Sequence, residues 1–295
     1  MIIFIGKKFL IMKLVKFKDL INRFDCFLFD QWGVIHNGKK KFSFIDKTLK
    51  KLNSKYCIVV SNTSQNEKEA KKNTFLKLNI NHNYFDRIIT SGEYLQYVAF
   101  SKKKKFLKYR KYLKLKKCFL ISNGKKSQVI KNIGLKKSDL NSAKFVMAMS
   151  IKPSNNFENY KKILSKLLKR KLVMICSNPD KFVFDGKVKK FVLQVGALAN
   201  YYSKIGGKVI YIGKPCSEFF SFSLRNLKFK KKKILMIGDN SQTDIAGAKK
   251  YGIKSALVLD GFNMNERKNY KNKKLSNILK LLPAKPNFII KNISV

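Results

Sequence analysis

The sequence predicts an α/β protein: a doubly wound parallel-sheet core interrupted by a second, inserted α/β domain. Short apolar runs ending in small or polar residues recur at 25–30 (DCFLFD), 56–62 (YCIVVSN), 208–214 (KVIYIGK) and 234–240 (ILMIGDN), and each reads as a buried parallel strand. Helical stretches separate them, as at 66–78 and 243–251, giving the strand and helix alternation of a doubly wound sheet. At 295 residues the chain also exceeds the roughly 100–200 residues of a usual domain, so one large domain or a core carrying an insertion is expected.

Residues 1–17 read as an N-terminal extension. Its apolar run is cut by Lys7, Lys8 and Lys13, so it falls short of the about 18 apolar residues of a membrane span and lacks a clean signal-peptide core. Met12 is an alternative start to Met1. The core comprises 18–101 and 208–295. Within it, FDRIITSG at 85–92 adds a strand and turn that lead into the helix GEYLQYVAF, and the lysine run at 102–105 marks a boundary. Residues 102–207 carry a second alternation, with strands CFLIS, KFVMAMS and KLVMICSN and helices around 125–132, 155–169 and 196–204. After Asp244, YGIKSALVLDGF returns one more strand to the core, and no internal repeat is evident.

Charge and cysteine content narrow the function classes. The formal net charge is +48, from 65 basic and 17 acidic residues, yet only six of the basic residues are Arg, the residue that phosphate and groove readers favour. Lys, Asn, Ile, Phe and Tyr are raised together, which points to AT-rich codon usage rather than a dedicated polyanion surface; no specific nucleic-acid partner is expected. Such a surface still steers anionic substrates, and salt screens the effect. Cys26, Cys57, Cys118, Cys176 and Cys216 lie far apart without a CxxC pair. Neither a disulfide framework nor a zinc site follows, and a reducing cytoplasm fits best.

The chemistry concentrates at strand ends. FLFDQWGV at 27–34 delivers Asp30 to the end of an apolar run, and ILMIGDNSQTD at 234–244 places Asp239 and Asp244 in a similar setting. Three carboxylates so placed suggest a cation and a phosphate, because ligands of doubly wound sheets sit beyond the carboxyl ends of the strands. A carboxylate can attack a phosphoryl group and form an acyl phosphate, splitting hydrolysis into two steps. A hard cation such as Mg²⁺ can offset the repulsion between that carboxylate and its substrate.

With SNT at 61–63, GKP at 213–215 and GDNSQTD at 238–244 following Asp30 in order, the chain resembles the haloacid dehalogenase (HAD) superfamily, specifically the class IIA, NagD-like phosphatase branch. TSGE at 91–94 and SNPD at 177–180 are weaker matches; GDNSQTD after an apolar strand is the most specific. The resemblance implies a Rossmann-like core, a mobile inserted α/β cap domain and a Mg²⁺-dependent phosphatase. It implies Asp30 as nucleophile, with Asp30, Asp239 and the Trp32 backbone carbonyl as metal ligands and Asp244 in the outer shell. Ser61, the backbone amides of Asn62 and Thr63, and Lys214 would hold the phosphoryl group, and Asn178 and Asp180 would face the substrate from the cap. The implied substrate is a small phosphorylated metabolite: a sugar phosphate, nucleotide or phosphorylated cofactor. Caps in related proteins often mediate dimers, so a homodimer is a possible assembly.

Several of these residues have plainer readings. Asp244 equally suits the N-cap of the helix IAGAKK, Asn178 and Asp180 suit a proline turn, and Ser61 suits an ordinary turn. His36 and His82, the sole histidines, read as structural or solvated. The sharpest departure from the family is Trp32, which occupies the position of a second Asp that protonates the leaving oxygen and then activates water. Indole cannot trade protons near neutral pH, and such assistance contributes about 10² to 10⁴ in rate. The alternatives are a phosphatase drawing its proton elsewhere, as from His36 or water; a phosphoryl transferase; and a non-catalytic phosphometabolite- or polyanion-binding protein. Trp32 itself could also be a core aromatic that narrows the substrate entrance.

Overall fold

The computed structural model describes residues 13–124, 127–152, 157–265 and 274–295. Residues 1–12, and with them the choice between Met1 and Met12, lie outside the described residues. The core is a seven-stranded sheet in the order Lys13–Leu14, Phe288–Ile290, Lys254–Val258, Ile234–Gly238, Cys26–Phe29, Tyr56–Ser61, Arg87–Thr90. All neighbours in it are parallel.

The apolar runs look continuous in sequence because both faces of this sheet are covered. Side chains alternate along a strand, so Cys26, Leu28, Ile58, Val60 and Met236 join one buried cluster. Phe27, Phe29, Val59, Leu235 and Ile237 join another on the opposite face. From Cys26–Phe29 the chain steps outward to Tyr56–Ser61 and Arg87–Thr90, then returns to the other side at Ile234–Gly238. The strand order therefore reverses between the strands that end at Asp30 and Asp239. Such a switch point opens a crevice at the carboxyl ends of the strands.

The inserted cap is a second parallel sheet of five strands, ordered Val209–Tyr211, Met174–Cys176, Phe145–Ala148, Lys117–Ile121, Lys136–Lys137. The helices Phe157–Lys169 and Val195–Lys204 cover one face through Tyr160, Leu164, Leu167, Leu198 and Tyr202. On the other face, Cys118, Phe145 and Met147 share an apolar cluster with Tyr94 and Val98 of the core helix Ser91–Phe100. This shared cluster joins the cap sheet to the core helix across that face.

Two boundaries differ from expectation. The run at 208–214, assigned to the core sheet, instead pairs through Val209–Tyr211 with Met174–Cys176 and forms an edge of the cap sheet. All three paired residues are only half buried, as befits an edge, and an apolar run does not encode which sheet accepts it. At the other end, Lys13–Leu14 pairs with Phe288–Ile289 and Phe17 is buried, so this part of the expected extension belongs to the core. A cap hairpin, Phe182–Asp185 with Lys190–Leu193, was not anticipated. Its signal was present in two short apolar runs, FVF and FVL, with the Asp185–Gly186 turn pair between them.

Candidate active site

Asp30 leaves its strand with its amide donating to Ile237 O at 2.8 Å, which fixes the carboxylate at the crevice. Lys214 Nζ lies 2.6 Å from Asp30 Oδ1 and 2.7 Å from Asp244 Oδ1. Side-chain exposures are 1% for Lys214, 0% for Asp244 and 14% for Asp30, so Asp30 keeps the solvent-facing end of the triad. Asp30, Asp239 and Asp244 each offer one oxygen, and these atoms lie within 4.8 Å of one another. An all-oxygen, carboxylate-rich set of this size suits a hard divalent cation.

Electrostatics follow from this burial. Burial alone would lower the Lys214 pKa, but the carboxylates of Asp244, Asp30 and Asp180 outweigh it and hold the ammonium firmly protonated. Burial pushes the Asp244 carboxyl upward and Asp30 adds to this, with Lys214 opposing. Asp244 is not the N-cap of IAGAKK. Asn240 takes that role for the turn at Ser241–Ile245 by accepting from the amides of Gln242 and Thr243, and Asp244 Oδ2 reaches back to Asn240 N at 3.1 Å. The Asp244 carboxylate thus secures the loop after Asp239 and meets Lys214 with its other oxygen.

The neighbouring strand Tyr56–Ser61 supplies Ser61, Asn62 and Thr63. Ser61 Oγ donates to Gln31 Oε1 at 3.0 Å and accepts from Thr63 N at 3.3 Å. Beyond the backbone amide to which the sequence points, the Asn62 side chain links three segments. Its Oδ1 accepts from Lys214 N at 2.8 Å and its Nδ2 donates to Asp180 Oδ1 at 2.9 Å. Gln31 and the side-chain amide of Asn62 escape sequence reasoning because neither residue type signals chemistry without its partners in view.

Asn178 and Asp180 separate in role. Asn178 Oδ1 accepts from Asp180 N at 3.1 Å and its Nδ2 donates to Gln194 Oε1 at 3.4 Å, so it builds the loop as a turn residue does. Asp180 crosses to the core and meets Asn62. Gly196, which opens the helix Val195–Lys204, donates to Asp180 O at 3.1 Å. A Cβ at that position would stand 2.2 Å from Pro179 O, so only glycine admits this approach.

Trp32 is half buried and does more than fill space. Its Nε1 donates to Phe184 O of the cap hairpin at 2.8 Å. The ring meets His36 edge-on at 5.1 Å, and a Cβ on Gly38 would lie 2.4 Å from it. His36 is buried, its Nδ1 accepts from Gly38 N at 3.0 Å, and burial pulls its pKa down to about 3. Burial thus favours its neutral form. His82 lies in the turn His82–Tyr84, which leads into the amino end of a core strand, the edge opposite the crevice.

A family model described as haloacid dehalogenase-like hydrolase matches residues 24–252. The chain belongs to that family. A second model, described as HAD-hydrolase-like, matches 211–294. The hydrolase is 27% identical over 262 residues to the chloroplastic phosphoglycolate phosphatase 1A of Arabidopsis thaliana, covering 82% of this chain and 70% of that one. It is 27% identical to the 4-nitrophenylphosphatase of Schizosaccharomyces pombe, covering 85% and 89%. A haloacid dehalogenase-like hydrolase from Brucella suis 1330 superposes with a TM-score of 0.72 at 25% identity, covering 83% of this chain and 92% of that one. NagD from E. coli K-12 shares the fold, with a TM-score of 0.62 at 18% identity over 92% and 97%. The class IIA architecture expected of the hydrolase, a core with its cap inserted between the SNT and GKP segments, is the one observed. No helix among the described residues is long and apolar enough to cross a membrane.

Proposed function

We propose that this hydrolase is a Mg²⁺-dependent phosphatase of small phosphorylated metabolites, working through an aspartyl phosphate on Asp30. The observation that carries the reading is the Asp30–Lys214–Asp244 arrangement, in which the one partly open carboxylate is aligned by a buried ammonium. The relatives named as phosphatases support the same chemistry.

Asp30 attacks phosphorus, and Lys214 offsets the negative charge that gathers on the transferring group. Ser61 and the amides of Asn62 and Thr63, at the end of the adjacent strand, orient its oxygens. Asp30, Asp239 and the Trp32 carbonyl would hold Mg²⁺, with Asp244 behind them; the ion would neutralise charge between nucleophile and phosphate. A reducing cytoplasm suits the five unpaired cysteines. Release of phosphate from p-nitrophenyl phosphate should require a divalent cation and vanish in Asp30→Asn. Undiminished turnover by Asp30→Asn would sink the reading, and tight phosphate-ester binding without turnover by the wild type would favour a binding protein.

A further inference from the structure

Trp32 leaves the nucleophile's own loop without a group that trades protons near neutral pH, and His36 is buried with its Nδ1 turned to the Gly38 amide. Lys214 and Asp244 are buried and paired with each other, and Asp239 belongs to the carboxylate cluster. One further carboxylate enters from the other domain. Asp180, on the cap loop after Ser177, places Oδ1 2.9 Å from Asn62 Nδ2, and Asn62 in turn holds the Lys214 amide. The electrostatic fields of Lys214 and Asp30 both reach Asp180.

The segment carrying Asp180 is tethered on both sides. Behind it, Asn178 Oδ1 and the Gly196 amide fix its backbone at 3.1 Å each. Ahead of it, Lys181 Nζ donates to Gln242 Oε1 at 3.2 Å, Gly186 N to Asn37 O at 2.9 Å, and Trp32 Nε1 to Phe184 O at 2.8 Å. Trp32, standing where a core carboxylate is missing, fastens the cap segment that brings one in.

We propose that Asp180 is the proton donor and acceptor of this reaction, delivered over Asp30 by the cap, with Trp32 as the positioning residue behind it. The proposal rests on the phosphatase reading above. In the first step an Asp30 oxygen bonds to phosphorus as the bond from phosphorus to the ester oxygen breaks. The departing alkoxide takes the proton of the Asp180 carboxyl. In the second step water attacks phosphorus of the acyl phosphate and the Asp180 carboxylate takes its proton. Phosphate then leaves and Asp30 is restored.

The electrostatic setting agrees. Burial pushes the Asp180 carboxyl up to about 6, with Lys214 opposing, Asp30 adding and the Asn62 hydrogen bond opposing. Asp244 and Cys176 are the other titratable groups that feel its charge. A carboxyl with a pKa near working pH can serve in both directions.

The test compares p-nitrophenyl phosphate, whose phenolate leaves unaided, with glycerol 3-phosphate, whose alkoxide needs a proton, using the whole chain with Mg²⁺. Asp180→Asn should cut kcat for glycerol 3-phosphate by about 10² to 10⁴. With p-nitrophenyl phosphate it should still give a stoichiometric burst of phenolate, then slow turnover as phospho-Asp30 waits for a base. Asp180→Glu should restore part of the activity, and Asp180→Asn should lose the limb of the pH profile near 6. Trp32→Phe should keep that limb while lowering kcat for glycerol 3-phosphate several-fold; wild-type kinetics in this variant would remove its positioning role. Equal losses on both substrates, no burst and an unmoved pH limb would overturn the Asp180 assignment, leaving the phosphatase reading standing on Asp30→Asn. Wild-type enzyme that hydrolyses neither ester would overturn the phosphatase reading, and the assignment with it.

Discussion

Lys214→Met isolates the charge balance on which the site depends. The ammonium stands 2.6 Å from Asp30 Oδ1 and 2.7 Å from Asp244 Oδ1, and is itself 1% exposed. Removing one partner of a buried ion pair costs about 3–5 kcal/mol, because the other charge is left uncompensated. Methionine keeps most of the volume, so the loss reports charge rather than a cavity. Urea unfolding without divalent cation should therefore show a deficit of about 3–5 kcal/mol at neutral pH. The sign of its pH dependence is set by Asp244, whose folded-state pKa is already raised and rises further without Lys214. A carboxyl raised on folding favours the folded state below its unfolded pKa and loses that contribution as pH rises through the folded value. The deficit should accordingly shrink on acidification. Adding Asp244→Asn should recover more than about 1 kcal/mol of it, since contacting residues are not additive. A deficit under about 1 kcal/mol, or strict additivity with Asp244→Asn, would refute the view that Lys214 balances buried carboxylates.

The remaining predictions concern the cap loop and the thiols. Gly196→Ala should displace the Pro179–Asp180 turn, because the new Cβ would meet Pro179 O at 2.2 Å; a loss of about 1–3 kcal/mol in thermal or urea unfolding is expected, with a fall in kcat. Native-state alkylation followed by mass spectrometry should modify Cys216 before the others. Cys26, Cys57, Cys118 and Cys176 are fully buried, and burial pushes each thiol up to about 12, whereas Cys216 is partly exposed.

The core was legible because its strands are covered on both faces. Runs such as FLF and LMI admit few readings, and Asp30 and Asp239 fall where such runs stop. The cap was harder for the same physical reason inverted. Val209–Tyr211 is a half-buried edge, and a three-residue edge strand says nothing of the sheet it will join. The hairpin at 182–193 is partly exposed on both strands, so its short apolar runs carry no alternation that would mark a strand. Trp32 was legible as a missing acid and illegible as a tether. Its partner is the main-chain oxygen of Phe184, 152 positions away, and a backbone acceptor leaves no mark on side-chain identity.

Lysine fills about one position in five, so a GKP triplet alone is weak, yet Lys214 is the only buried lysine among the described residues. Its charge is tolerated there because Asp30 and Asp244 accept it within hydrogen-bond distance. The balance nevertheless stays negative: with all three ionised, the cluster of Asp30, Asp239 and Asp244 exceeds the single ammonium by two charges. A phosphate dianion drawn in by the basic surface would meet that excess at the point of reaction. Surface lysines cannot relieve it, since salt screens exposed charges over roughly 8–10 Å. Any compensation would have to lie among the carboxylates themselves, which is where the proposed divalent cation beside Asp30 would act.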